Sequence, residues 1–166
     1  MPVAPKAADY FCEGTPVNGT DEVQTITFGG TPTGGTFTLT FGGLTTGAIS
    51  WSATNNTLRD NIDTALEALA NIGASEVTTA VGTMTGGIGT ITVTFAAALG
   101  KLNLPLMTAA SSLTGTLPTL AVATTTPGVT ATARGAAAEA TLQDSSGNLY
   151  INKGTTTAPV WLPLGA

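Results

Sequence analysis

Histidine is absent from these 166 residues, and a single cysteine, Cys12, stands near the N-terminus. The first absence removes the side chain that titrates near neutrality and the commonest metal ligand. With so little cysteine, a Cys/His nucleophile pair is excluded as well. A lone cysteine also rules out an intrachain disulfide framework, which leaves Cys12 as a small arm residue or as half of an interchain bridge. Charge is scarce: 9 % of residues are charged, with ten acids against five bases, for a net charge of −5. The bases form no cluster, and backbone binding of nucleic acid needs grouped Lys and Arg to release counterions. Nucleic acid is therefore not an expected partner. Long hydrophobic runs are missing too, although 42 % of the chain is hydrophobic. No window reaches the roughly 18 consecutive apolar residues of a membrane span, so no membrane partner is expected. The start, MPVAPKAADYFCEG, carries Pro2, Pro5 and Asp9 and has no apolar h-region, so it does not read as a secretory signal. Synthesis and folding in the cytoplasm is the expectation.

What the chain does contain is strand pattern around one helix. In TNNTLRDNIDTALEALANIG (Thr54 to Gly73), Leu58, Ile62, Ala65, Leu66, Leu69 and Ile72 recur on a 3.6-residue period, with Arg59, Asp60, Asp63 and Glu67 mostly on the other side. Thr54 or Asn55 supplies a capping oxygen at the start, and Gly73 suits the left-handed position that ends a helix. The predicted helix covers residues 55–72 and lays its stripe on a sheet.

Residues 1–21 lack periodicity, carry Pro2, Pro5 and Pro16 and the turn pair Asn18-Gly19, and read as an extended arm holding the apolar block Tyr10-Phe11-Cys12. A repeated phrase follows. Thr25-Ile26-Thr27-Phe28-Gly29-Gly30 returns as Thr38-Leu39-Thr40-Phe41-Gly42-Gly43 and again as Thr92-Val93-Thr94-Phe95-Ala96. Alternation of Thr with apolar residues is the period of a half-buried strand. The linker TPTGG (Thr31 to Gly35) has turn composition and predicts a hairpin between the first two strands. Glu76 to Val81 and Gly89 to Ala96 predict a second pair across the loop Gly82 to Gly89. The segment Ala97 to Thr116 is open, Leu104-Pro105 arguing against a regular helix, and Thr119 to Thr125 reads as a closing strand. Beyond Pro127-Gly128 the composition shifts to small residues, then to a hairpin signal around Ser145-Ser146-Gly147-Asn148. The end, Ala158 to Leu164, is apolar and proline-spaced, a tail suited to burial against another subunit.

The fold class expected is α+β, mostly β: an antiparallel β-sandwich-like domain with one amphipathic helix packed on a sheet, an extended N-terminal arm and a C-terminal β-hairpin. The segments are 1–21, 22–128 and 129–166. Carboxylates are the remaining candidates for chemistry. Asp63 and Glu67 lie at i and i+4 on the helix, either as a paired site or as a solvated face with Arg59 pairing Asp63. Asp144 and Asn148 bracket a turn but lack the ligand series of a calcium loop. The Gly-Gly pairs have no helix and Lys behind them and so are not phosphate loops. Trp51 and Trp161 read as packing anchors. No cofactor, no metal and no enzymatic activity are expected.

Glu22 to Ile26, Gly34 to Phe41 and Leu66 to Gly73 occur in the order found in a β-rich module of tailed-bacteriophage structural proteins, which this chain resembles over roughly residues 22–128. The segment DSSGNLYINKGT (Asp144 to Thr155), followed by Ala158-Pro159-Val160-Trp161, is similar to closing segments of phage head-decoration and fibre-like proteins. The resemblance implies a virion protein on the outer surface of a capsid, made in the host cytoplasm. Its implied role is capsid decoration (cement), with the major capsid protein as partner and a homotrimer as assembly. Tyr10, Phe11, Val160, Trp161, Leu162 and Leu164 are the candidate capsid or subunit contacts. A minor tail or fibre component contacting the host cell surface is the alternative. A carbohydrate-acting enzyme would require Asp63 and Glu67 in a cleft at a separation suited to glycoside chemistry.

Overall fold

The computed structural model describes residues 18–130, 141–143, 146–153 and 160–164. They divide into two compact units, Thr20–Val129 and a terminal unit drawn from Met1–Gly19 and Thr130–Ala166. The larger unit contains β1 (Val23–Phe41), β2 (Leu44–Thr45), β3 (Ile49–Ser50), α1 (Asn55–Glu67), β4 (Val77–Thr85), β5 (Ile88–Phe95) and β6 (Thr108–Thr126). The structure is mostly β with one α-helix among the described residues. The strands of the larger unit form one six-stranded sheet in which every pairing is antiparallel. The expected α+β, mostly β class with an antiparallel sheet is what the structure shows; the sandwich-like arrangement is here one hydrogen-bonded sheet.

β1 is the hub. Along its first part, β6 pairs on one side and β5 on the other; along its last part, β6 continues while β3 and β2 replace β5. The expected hairpin across TPTGG does not form, because Thr31 to Gly35 lies inside this single 19-residue strand. Proline and glycine mark a corner here. A straight strand would hold Phe28 and Phe37 ~30 Å apart at about 3.3 Å per residue. Their rings instead meet edge-to-face with centroids 5.2 Å apart. The ribbon of β1 and β6 is thus folded across its middle, with register shifts between Gly29 and Thr31 and between Pro32 and Gly34. The second shift inserts a residue into β1 and moves the inward positions from Ile26 and Phe28 to Phe37, Leu39 and Phe41. Gly35 (φ +94) and Gly115 (φ +132) sit in this corner, where a Cβ on either would strike the facing backbone.

Helix α1 runs alongside both β4 and β3, at the rim of the sheet away from β6. Its Leu58, Ile62 and Leu66 are fully buried, each contributing roughly 1.5–3 kcal/mol by removal from water. The helix ends at Glu67, before the expected position, and Leu69 and Ile72 are buried from the turns that follow. Gly73 closes those turns at φ +83, its N–H donating to the Leu69 carbonyl. Thr54 occupies the N-cap position without a side-chain cap hydrogen bond, and the Asn55 side chain bonds to the β4–β5 turn. Two Gly-Gly pairs make tight hairpin turns. Gly42-Gly43 joins β1 to β2 and Gly86-Gly87 joins β4 to β5, all four at positive φ as a type I′ turn requires. The expected eight-residue loop at Gly82–Gly89 is thereby reduced to two residues, the strands extending through it.

In the terminal unit, β7 (Thr141–Gln143), β8 (Leu149–Asn152) and β9 (Trp161–Pro163) form a three-stranded antiparallel sheet. The hairpin signal is realised and gains a third strand from the tail.

Candidate functional site

The six carboxylates among the described residues all accept hydrogen bonds from nearby groups, four of them from a backbone N–H. Three serve the irregular segment between β5 and β6. Asp21 Oδ1 accepts from Lys101 N at 2.9 Å, Glu76 Oε2 from Leu99 N at 3.1 Å, and Glu22 Oε2 from Leu104 N at 2.7 Å. This segment has no strand partner, so its N–H groups need other acceptors. Glu22, the residue just before β1, and Gln24 within it lie two apart along extended backbone and therefore share the inner face. Both are fully buried. Gln24 Nε2 donates to Glu22 Oε1 at 2.6 Å and to the Pro105 carbonyl at 3.0 Å, while its Oε1 accepts from Met107 N at 2.8 Å. The pair is a latch that pins residues 104–107 to the first strand. Sequence reading found Glu22 and Gln24 only as part of a resembling phrase; their partners lie some eighty residues away, where no local signal points to them.

Asp63 and Glu67 are each engaged by a different donor. Asp63 Oδ1 accepts from Thr79 Oγ1 at 2.9 Å, and Glu67 Oε1 accepts from Ser75 N at 2.7 Å. Arg59 pairs with Asp60, its Nε donating at 3.0 Å, where Asp63 had been the expected partner. Asp144 lies outside the described residues, and no group of three or more metal-ligating side chains occurs among the described ones.

A groove of about 410 Å³ separates residues 47–50 from Asn61, Thr64, Ala65 and Ala68. Its polar lining is Ser50, Thr64 and Asn61, and Asn61 Nδ2 donates to the Ser50 carbonyl at 2.9 Å. No carboxylate or base lines it. Nearby, Asn55 fastens the β4–β5 turn to the start of the helix: its Oδ1 accepts from Gly87 N at 2.9 Å and its Nδ2 donates to the Met84 carbonyl at 3.0 Å. Trp51 Nε1 adds a bond to the Gly87 carbonyl at 3.2 Å, so Trp51 is an anchor for that turn.

Of the candidate contact residues, Tyr10 and Phe11 lie outside the described residues, as does Cys12. The other four are brought together on and beside β9. Val160 is half-buried, Trp161 is buried, and Leu162 and Leu164 are exposed. Asn18 acts here as a side-chain strand: its Oδ1 accepts from Trp161 N at 2.7 Å and its Nδ2 donates to the Trp161 carbonyl at 3.2 Å. Asn152, fully buried, accepts from Val160 N at 2.9 Å. The sequence suggested only a turn at Asn18, since the donor it meets is 143 positions away.

No protein-family model matches this chain, and no curated protein does. Among solved structures, a chain of Mycobacterium phage Patience is similar at a TM-score of 0.41 and 18 % identity, over 88 % of this chain and 50 % of that one. The chain spans about half the length of this phage neighbour. At that level the likeness assigns neither a family nor a role.

Proposed function

We propose that this chain is a non-enzymatic decoration protein of a tailed-phage head, bound to the outer surface of the capsid and reinforcing contacts between major capsid proteins. The observation that carries the reading is where the residues of the resemblance lie. Glu22, Gln24 and Ile26 from its first stretch, Phe37, Leu39 and Phe41 from its second, and Leu66, Leu69 and Ile72 from its third are all buried in the same unit. Three separate phrases that recur in phage virion modules thus act together as one core and its latch. The carboxylates support the same reading, because they are engaged in holding backbone and neighbouring side chains. Leu162 and Leu164 supply exposed apolar surface for a partner in the terminal unit.

Co-sedimentation with undecorated heads, and separately with isolated tails, tests this. Saturable binding to heads at a copy number matching a lattice position is expected. Leu162→Asp with Leu164→Asp should weaken that binding without altering the circular dichroism spectrum. Binding to tails alone would replace this reading with that of a minor tail or fibre component that meets the host surface, and binding to neither would remove both.

A further inference from the structure

We propose that the free edge of β6 is an interface between two copies of this chain, which pair β6 with β6 across a two-fold axis and continue the antiparallel sheet. β6 pairs with β1 along its length, and no described strand pairs with its other side. The far rim of the sheet is flanked by α1, so among the described residues one margin is protected and the other is open. The open strand is 19 residues long and contains no charged residue. Monomeric proteins guard such an edge with lysine, proline, bulges or a covering element, because its unpaired N–H and C=O groups template another strand. Pro118 and the left-handed Leu117 (φ 46) guard only the corner. Thr119 to Thr124 runs beside β1 in unbroken register, from the Gly29 pairing to the Gln24 pairing.

The side chains of that stretch favour a second copy as occupant. Leu120 and Val122 pack against the core yet are only half-buried, whereas their partners across the ladder, Phe28 and Ile26, are 1 % and 0 % exposed. The core surface therefore runs out to solvent at this edge. A two-fold axis through Ala121 sets Leu120 opposite Val122 of the second copy and Thr119 opposite its Ala123. Apolar then meets apolar on the inner face, and small meets small on the outer one. Each copy carries a net charge of −5, and an edge without charges lets two such chains approach without placing like charges opposite each other. The pairing does not depend on the virion assignment. It yields an even-numbered assembly, in place of the trimer that the resemblance implies.

Sedimentation equilibrium of the full chain and of Ala121→Lys tests the interface. Ala121 is exposed on the outer face, so lysine there has room while bringing two ammonium groups together at the axis. The wild-type chain should sediment at twice the chain mass of 16.4 kDa, and the variant at the chain mass with an unchanged circular dichroism spectrum. A wild-type mass of one or three chains would overturn the proposal, as would a variant that stays dimeric. Should lysine unfold the chain, Ala121→Cys in a Cys12→Ser background gives a second readout. Directly opposed residues of an antiparallel pair have Cα atoms about 4.5–5.5 Å apart, within reach of a disulfide. Oxidation should link two chains through residue 121, and a product that stays single-chain would count against the pairing.

Discussion

Both oxygens of Glu22 are committed as acceptors, Oε2 to Leu104 N and Oε1 to Gln24 Nε2, and the side chain has no exposure to water. Removing it strands a backbone donor and an amide donor in a dry site, and orphaned buried groups carry their full desolvation cost. Glu22→Ala is expected to lower stability by roughly 2–4 kcal/mol, read as a fall in the urea midpoint. Glu22→Gln should recover only part of this loss. A glutamine offers one acceptor and one NH₂, so either Leu104 N or Gln24 Nε2 faces a donor. Gln24 cannot turn over to help, because its Oε1 already accepts from Met107 N. An alanine variant with the wild-type midpoint would show that residues 104–107 are held by packing alone.

At the scale of elements, the β4–β5 turn separates two glycines that look alike in sequence. Gly86 (φ +59) has nothing within 4 Å of where a Cβ would stand, while a Cβ on Gly87 (φ +78) would strike the Ser52 carbonyl and the Trp51 ring. Asparagine tolerates the left-handed region better than other non-glycine residues. Gly86→Asn is therefore expected to stay within about 1 kcal/mol of wild type, whereas Gly87→Asn should lose roughly 2–4 kcal/mol and loosen the Asn55 and Trp51 bonds to the turn. Thermal unfolding of the two variants side by side checks the difference. The same elements show what sequence pattern can carry. The helix was legible because Leu58, Ile62 and Leu66 share one 3.6-residue stripe, and the strands because Thr alternates with core residues. The corner was not, since Gly and Pro serve a hairpin turn and a bulged bend equally well. The first half of β6 escaped notice because an edge strand buries little: Ala109 and Leu113 are its only half-buried positions before the corner. Of the candidate site, the apolar tail was readable from composition. The latch and the Asn18 clamp were not, because each joins side chains to backbone groups far away in the chain.

For the whole molecule, the buried core of the larger unit is supplied from within it, running from Ile26 to Met107. The unit also closes on itself at its ends. Thr20 N donates to the Val129 carbonyl at 2.8 Å and Val129 N donates to the Thr20 carbonyl at 2.9 Å, a bridge just beyond β1 and β6. Cutting the chain outside this bridge removes no described hydrogen bond of the core and no buried side chain from it. A fragment of residues 20–129 is thus expected to unfold in a single cooperative transition at the urea midpoint of the core in the full chain. The terminal unit has a different dependence. Its β9 is tied to Asn18 by two bonds, and Val160 just before it to Asn152 by one, so its order needs residues from both ends of the sequence. If the exposed Leu162 and Leu164 make the capsid contact, the fragment should fold yet fail to co-sediment with heads. A fragment that folds and still binds at full stoichiometry would move the contact onto the sheet itself, whereas one that does not fold would show that the terminal unit is part of the same cooperative structure.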